Sequence, residues 1–258
     1  MMSEMLAAHV DAALEDAEDG IRELLAGQQT LRQLNALCDS LRVAGIGELF
    51  LLGRSAPLRR RMYQSGRAYA HGLAQLPEDA RFGSRARPFF DAVAADDSAG
   101  ASEIARLSRR TWVKGKEFEE DFLFVELLMQ AFFLSPGADL GSRLDHWKEI
   151  LNGTEDKRLS VVRALLERDG SFSAALTDYL EDRATRLEES AKEDAFPNAL
   201  LATEWHFSVE GTALAKLARN AGLALAREYR HVPAVALQSS RESWSSTAWR
   251  TVEPSVAG

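Results

Sequence analysis

Phe172, Ala175, Leu176, Tyr179 and Leu180 stand in FSAALTDYL at spacings of i, i+3, i+4, i+7 and i+8. This is the footprint of one apolar face on a helix of 3.6 residues per turn. Helical patterns recur along most of the chain, and no run of alternating β-branched residues is long enough for a sheet. The expected fold is all-α: a multi-helix bundle of antiparallel helices and helical hairpins, no sheet, with an extended C-terminal tail.

Helices are expected near residues 4–25, 29–50, 57–76, 87–95, 99–109, 116–134 and 138–151. Pro57 and Pro88 suit first-turn positions, where a missing N–H costs nothing. Gly53, Gly153 and Gly170 stand where C-terminal caps are wanted. TEDKRLSVVRALLERDG offers Thr154 as an N-cap, with Gly170 as a stop, and makes a hairpin with the segment that follows. In TEWHFSVEGTALAKLARNAG, Val209, Leu214 and Leu217 face inward and Gly222 lies near the end.

Three stretches divide the chain. Residues 1–80 carry the N-terminal helices, either as a separate bundle or as part of the same domain, and the irregular LPEDARFGSRARP (76–88) could part them from the rest. Residues 81–237 form the main helical domain. Residues 238–258 are Ser-rich and aperiodic, an extended or mobile tail. Trp244 and Trp249 within it either pack back, the favoured reading, or meet a partner.

Composition limits function. The net charge of −8 argues against nucleic acid as a direct partner, because phosphate binding wants a basic face. It permits a basic protein partner through complementary steering. Cys38 is the only cysteine and sits among Leu34, Leu37 and Leu41, as a buried structural thiol would. The acidic start lacks a signal-peptide pattern, and no apolar run approaches ~18 residues, so no membrane association is expected and the default location is cytoplasmic.

Motifs for chemistry are sparse. Glu228-x-x-His231 occurs once, whereas a di-iron bundle needs two such pairs and further glutamates. Zinc-ligand spacings, a Gly-x-Ser-x-Gly elbow, a P-loop and a dinucleotide fingerprint are missing. The sequence thus nominates no catalytic residue, no metal and no cofactor, and leaves room for an enzyme only through scattered residues. Arg59, Arg60, Arg61 and Arg67 are expected on a solvated surface with ion pairs, since three consecutive helical positions spread over roughly 200°.

WVKGKEFEEDFLFVELLM (112–129) is the densest stretch. A helix starting near Lys116 puts Glu117, Glu119 and Glu120 in its first turn, where each contributes roughly 0.3–1 kcal/mol against the macrodipole. Phe118, Phe122, Val125, Met129 and Phe132 then form an inward stripe. Glu119, Glu126 and Gln130 make a narrow polar line, with Glu126 expected to pair with an arginine inside the bundle.

Four segments in order resemble a known bacterial family. They are RPFFDAVAADDSAGASEIARLS (87–108), EFEEDFLFVELLM (117–129), VVRALLERDGSFSAALTDYLEDR (161–183) and FSVEGTALAKLARNAGLALAREYRHVPAVAL (207–237). Their sequence and spacing are similar to the immunity protein 49 family, all-helical immunity proteins of bacterial polymorphic toxin systems. The resemblance spans about Arg87 to Leu237. It implies a non-enzymatic antidote that binds and neutralises a cognate toxin domain in the cytoplasm by stoichiometric inhibition. If that toxin is a nuclease with a basic cleft, exposed carboxylates could stand in for phosphates. Contact candidates are Asp96, Asp97, Glu117, Glu119, Glu120 and Asp121, on the expectation that a helical turn and a helix start meet at one end of the bundle. The alternative is a helical-repeat-like adaptor that binds a peptide or regulatory protein. Oligomeric state is left open.

Overall fold

The computed structural model describes residues 2–27, 29–192, 197–239, 242 and 244–255. Residues 240, 241, 243 and 256–258 of the expected tail lie outside the described residues. Among those described there are eleven α-helices, no strand, and one isolated bridge between Tyr229 and Val232. Among the described residues no helix is long and apolar enough to cross a membrane.

Helices α1 (Met2–Leu25), α2 (Leu31–Leu52) and α3 (Ser55–Gln75) form an antiparallel layer with α2 in the middle. Thr30 and Gln33 start α2 with a reciprocal capping box, and Gly53 ends it at φ 65. Against α3 pack α4 (Pro88–Ala94) and α5 (Ser98–Leu107). Gly66 of α3 permits this approach: a Cβ there would stand 2.8 Å from that of Ala92.

Helix α6 (Glu119–Met129) is followed by a π-helical turn, Gln130–Leu134. Then come α7 (Gly141–Ile150), the hairpin of α8 (Lys157–Leu166) and α9 (Phe172–Lys192), short α10 (Asn198–Ala202), and α11 (Val209–Asn220) on α4 and α9. One apolar core runs from Ala17 on α1 to Trp249 in the tail, across residues 76–88 without interruption.

Polar side chains also enter this core. Arg42 donates from Nε and Nη2 to the Asp91 carboxylate, both at 3.0 Å, and Ser65 Oγ donates to Asp91 Oδ2 at 2.5 Å. Arg61 grips Glu48 through two 3.0 Å bonds. Lys216 Nζ reaches the Ala94 carbonyl at 2.6 Å and Asp96 at 2.7 Å. The expected surface arginines are therefore corrected. Arg59 and Arg61 are buried, while Arg60 and Arg67 are partly covered and paired with Glu253 and Asp97.

Cys38 is fully buried, and burial pushes its thiol well above the ordinary range. Glu126 is buried at 4% exposure, pairs with Arg143 and accepts from Gln130 Nε2 at 3.0 Å. Trp249 packs into the core and Trp244 lies 4.8 Å from the Tyr63 ring.

Two local expectations change. Asp156, not Thr154, caps α8, accepting from Arg158 N at 2.9 Å. The turn after α8 is made by Arg168 at φ 54, whereas Gly170 has no positive φ.

Candidate functional site

The head of α6 differs from the sequence expectation in a way that creates a surface. Residues 113–117 close a turn in which the N–H groups of Lys116 and Glu117 both donate to the Val113 carbonyl. Gly115 takes φ +78 within it. The helix consequently begins at Glu119, and Phe118 becomes its N-cap residue in extended conformation with no capping side chain. Phe118 is 72% exposed, not part of the inward stripe. Phe122, Val125 and Met129 are buried as expected, and Phe132 is half-buried.

The four acids beside Phe118 have different roles. Glu117 clamps the loop: Oε2 accepts from Ser84 N (3.2 Å) and Oγ (2.6 Å), and Oε1 accepts from Val113 N at 3.2 Å. Glu119 meets His146 Nε2 at 2.8 Å, and Asp121 accepts from Arg158 Nη1 at 2.6 Å. Glu120 has no hydrogen bond or ion pair among the described residues. It shares the first turn of α6 with Glu119 and Asp121, where the helix dipole favours negative charge. Trp112, Ile150 and these acids line a cleft of about 750 Å3 around Phe118.

Asp96 and Asp97 lie elsewhere. Asp96, at φ 63, turns the chain between α4 and α5 and holds Lys216. Asp97 caps α5 by accepting from Gly100 N at 3.0 Å, and it takes two bonds from Arg67 at 2.5 and 2.6 Å. Ser84, which holds Glu117, precedes α4, and Arg109, just after α5, donates to the Arg81 carbonyl at 2.8 Å. The pair Asp96–Asp97 thus occupies one end of the α4–α5 hairpin and the Glu117–Asp121 group the other. The expected single patch of six acids is replaced by a structural pair and a separate acidic rim. The seven residues of α4 account for roughly 10 Å of separation along that hairpin.

A second cleft, of about 380 Å3, borders the first through Ser84 and Asp121. Sequence reasoning missed it. Its wall on α9 was legible as one helical face continuing the apolar stripe: Tyr179, Arg183, Leu187 and Ser190 follow at nearly constant phase. Phe90, Phe124 and Arg158 come from other helices, so only the fold assembles them. Arg183 Nη2 donates to the carbonyls of Glu204 (2.8 Å) and Phe207 (3.3 Å), while Nη1 lies 3.4 Å from His231 Nδ1. Burial, with Arg183 and Arg230 adding to it, lowers His231 to about 4, so at neutral pH its ring is uncharged. Tyr179 donates to Glu210 Oε2 at 2.8 Å, and burial followed by Glu210 raises its phenol well above the usual range.

Among the described residues no group of three or more His, Cys, Asp or Glu is placed to hold a metal ion. Comparison with family models, curated proteins and solved structures found no match to this chain.

Proposed function

We propose that this chain is an immunity protein that binds a cognate bacterial toxin domain and neutralises it by stoichiometric protein–protein inhibition. The observation that carries the reading is Phe118, 72% exposed at the head of a rigid helix and rimmed by Glu119, Glu120 and Asp121. An aromatic anchor of this kind contributes roughly 1.5–3 kcal/mol when a partner buries it. Such anchors, set in a polar rim, dominate protein interfaces. Arg85 and Lys116 also line this cleft, and Glu120, the acid of the rim with no ion pair among the described residues, is the group that favours a basic partner. The resemblance of residues 87–237 to the immunity protein 49 family supplies the kind of partner, a toxin domain acting in the cytoplasm.

The test is a growth assay in a bacterial host. The C-terminal domain encoded beside this gene is expressed alone and with this chain. Relief of toxicity by the chain, lost or weakened in Phe118→Ala, is the expected result. A toxic domain that the chain does not relieve would sink the pairing and move the helical adaptor reading to the front. Since Asp96, Asp97 and Glu117 hold the fold, charge reversal belongs at Glu120, whose loss leaves no partner stranded.

A further inference from the structure

The second cleft contains a cation that no carboxylate of the described residues contacts. Arg158 is engaged by Asp156 and Asp121, Arg186 by Asp182, and Arg87 by Glu204 and Asp39. Arg183 instead has its guanidinium fixed by two backbone carbonyls and by uncharged His231. A guanidinium carries five N–H donors, and its Nε–H has no protein partner among the described residues. Both lining carboxylates are already occupied, Asp121 by Arg158 and Glu210 by the Tyr179 hydroxyl.

The surroundings give the ligand its shape. Phe90 and Phe124 stack with ring centroids 5.4 Å apart at 27°, and both line the cleft. Arg158 lies over the Phe124 ring at 5.7 Å, and Leu187 and Val125 complete an apolar wall. Arg186 is exposed on the same face of α9 as Arg183, one turn further on. Phe90 and Phe124 are 1% and 5% exposed, covered by each other and by Arg158, so the cleft combines a preorganised guanidinium, a second, exposed arginine and the half-buried side chain of Leu187. With Nη2 held by two carbonyls and Nη1 against His231, the Nε–H is left to make one charge-assisted hydrogen bond to an oxyanion.

We propose that this cleft binds a small organic oxyanion, a carboxylate or phosphate monoester carried on a small apolar body. Arg183 anchors the anion through its Nε–H, Arg186 supports it, and half-buried Leu187 meets the apolar part. The site is independent of the Phe118 surface, although the two clefts adjoin at Ser84 and Asp121.

Calorimetric titration of the full chain with phenyl phosphate, benzoate and neutral benzyl alcohol tests it. Saturable one-to-one binding of an anion without binding of benzyl alcohol is expected, and the tighter of the two anions identifies the headgroup. Arg183→Gln should weaken that binding about tenfold, the loss expected for a charged hydrogen bond. Arg183 also ties two carbonyls, so thermal unfolding of the variant is measured alongside. If it fails to fold, the exposed Arg186→Gln decides, with about threefold weakening expected. Binding of neither anion, equal binding of benzyl alcohol, or anion affinity unchanged in every folded variant would overturn the proposal.

Discussion

Arg61 and Glu48 sit at 3% and 1% side-chain exposure, and their two hydrogen bonds hold α3 against α2. Desolvating such a pair offsets much of its attraction, so its presence adds little by itself. Removing one member is another matter. Arg61→Met strands the Glu48 carboxylate and should cost about 3–5 kcal/mol in urea unfolding, whereas Arg61→Met with Glu48→Leu should recover much of the loss. A single variant no less stable than the parent would show that Glu48 finds water or another donor. The sequence did not reveal this burial, because Glu48 and Arg61 are 13 residues apart and lie on different helices.

His231 supplies a pH-dependent test at the same scale. The unfolded chain takes up this proton near the ordinary 6.5, the folded chain only near about 4. Between those values the unfolded state alone binds the proton, so stability falls as pH is lowered from 6.5 toward 4; above 6.5 the contribution is constant, and below about 4 the slope ends. His231 has φ 61, a conformation that asparagine tolerates, which makes His231→Asn the suitable control. Unfolding free energies measured between pH 7.5 and 4.5 should fall less steeply in that variant. Parallel slopes would exclude His231 as the titrating group.

At the scale of elements, some local capping signals were legible, while Thr154 and Gly170 were displaced by Asp156 and Arg168. Gly53 ends α2 in the left-handed region, Pro88 opens α4, and Gly153 takes φ 86 after α7. The head of α6 was misplaced for a reason that was also local. The charge pattern of KEFEED suits a first helical turn, yet Gly115 and the Val113 carbonyl close a separate turn first. Gly115→Ala should cost about 1–2 kcal/mol, the penalty of a left-handed L-residue. Gly170 has neither a positive φ nor an atom within 4 Å of an added Cβ. Gly170→Ala should therefore be neutral or stabilising by up to about 1 kcal/mol. Paired unfolding curves check both, and the opposite ordering would contradict the turn assignment that exposes Phe118.

Across the whole molecule, the C-terminal segment acts as a strap along α3. Arg59 Nη1 donates to the Gln238 carbonyl at 3.3 Å, Tyr63 Oη to Ser245 O at 3.0 Å, Gln64 Nε2 to Thr251 O at 2.7 Å, and Arg61 Nη2 to Glu253 O at 2.8 Å. Four donors from one helix meet carbonyls spread over the segment, which is how an aperiodic chain satisfies its backbone without secondary structure. Ser-rich composition suggested an extended or mobile tail, but composition does not encode donors waiting on a helix so far away in sequence. Trp249 fastens the arrangement, buried at 4% exposure with its ring 5.0 Å from that of His71. Trp249→Ala should cost about 3–5 kcal/mol, the usual range for emptying a buried aromatic site. Half-buried Trp244 should cost less when truncated. The strap shares no residue with the cleft around Phe118. Any partner affinity lost in Trp249→Ala should therefore follow the fraction of unfolded protein and vanish once binding is expressed per folded molecule. A residual loss in fully folded Trp249→Ala would mean that the strap, and not only the head of α6, belongs to the binding surface.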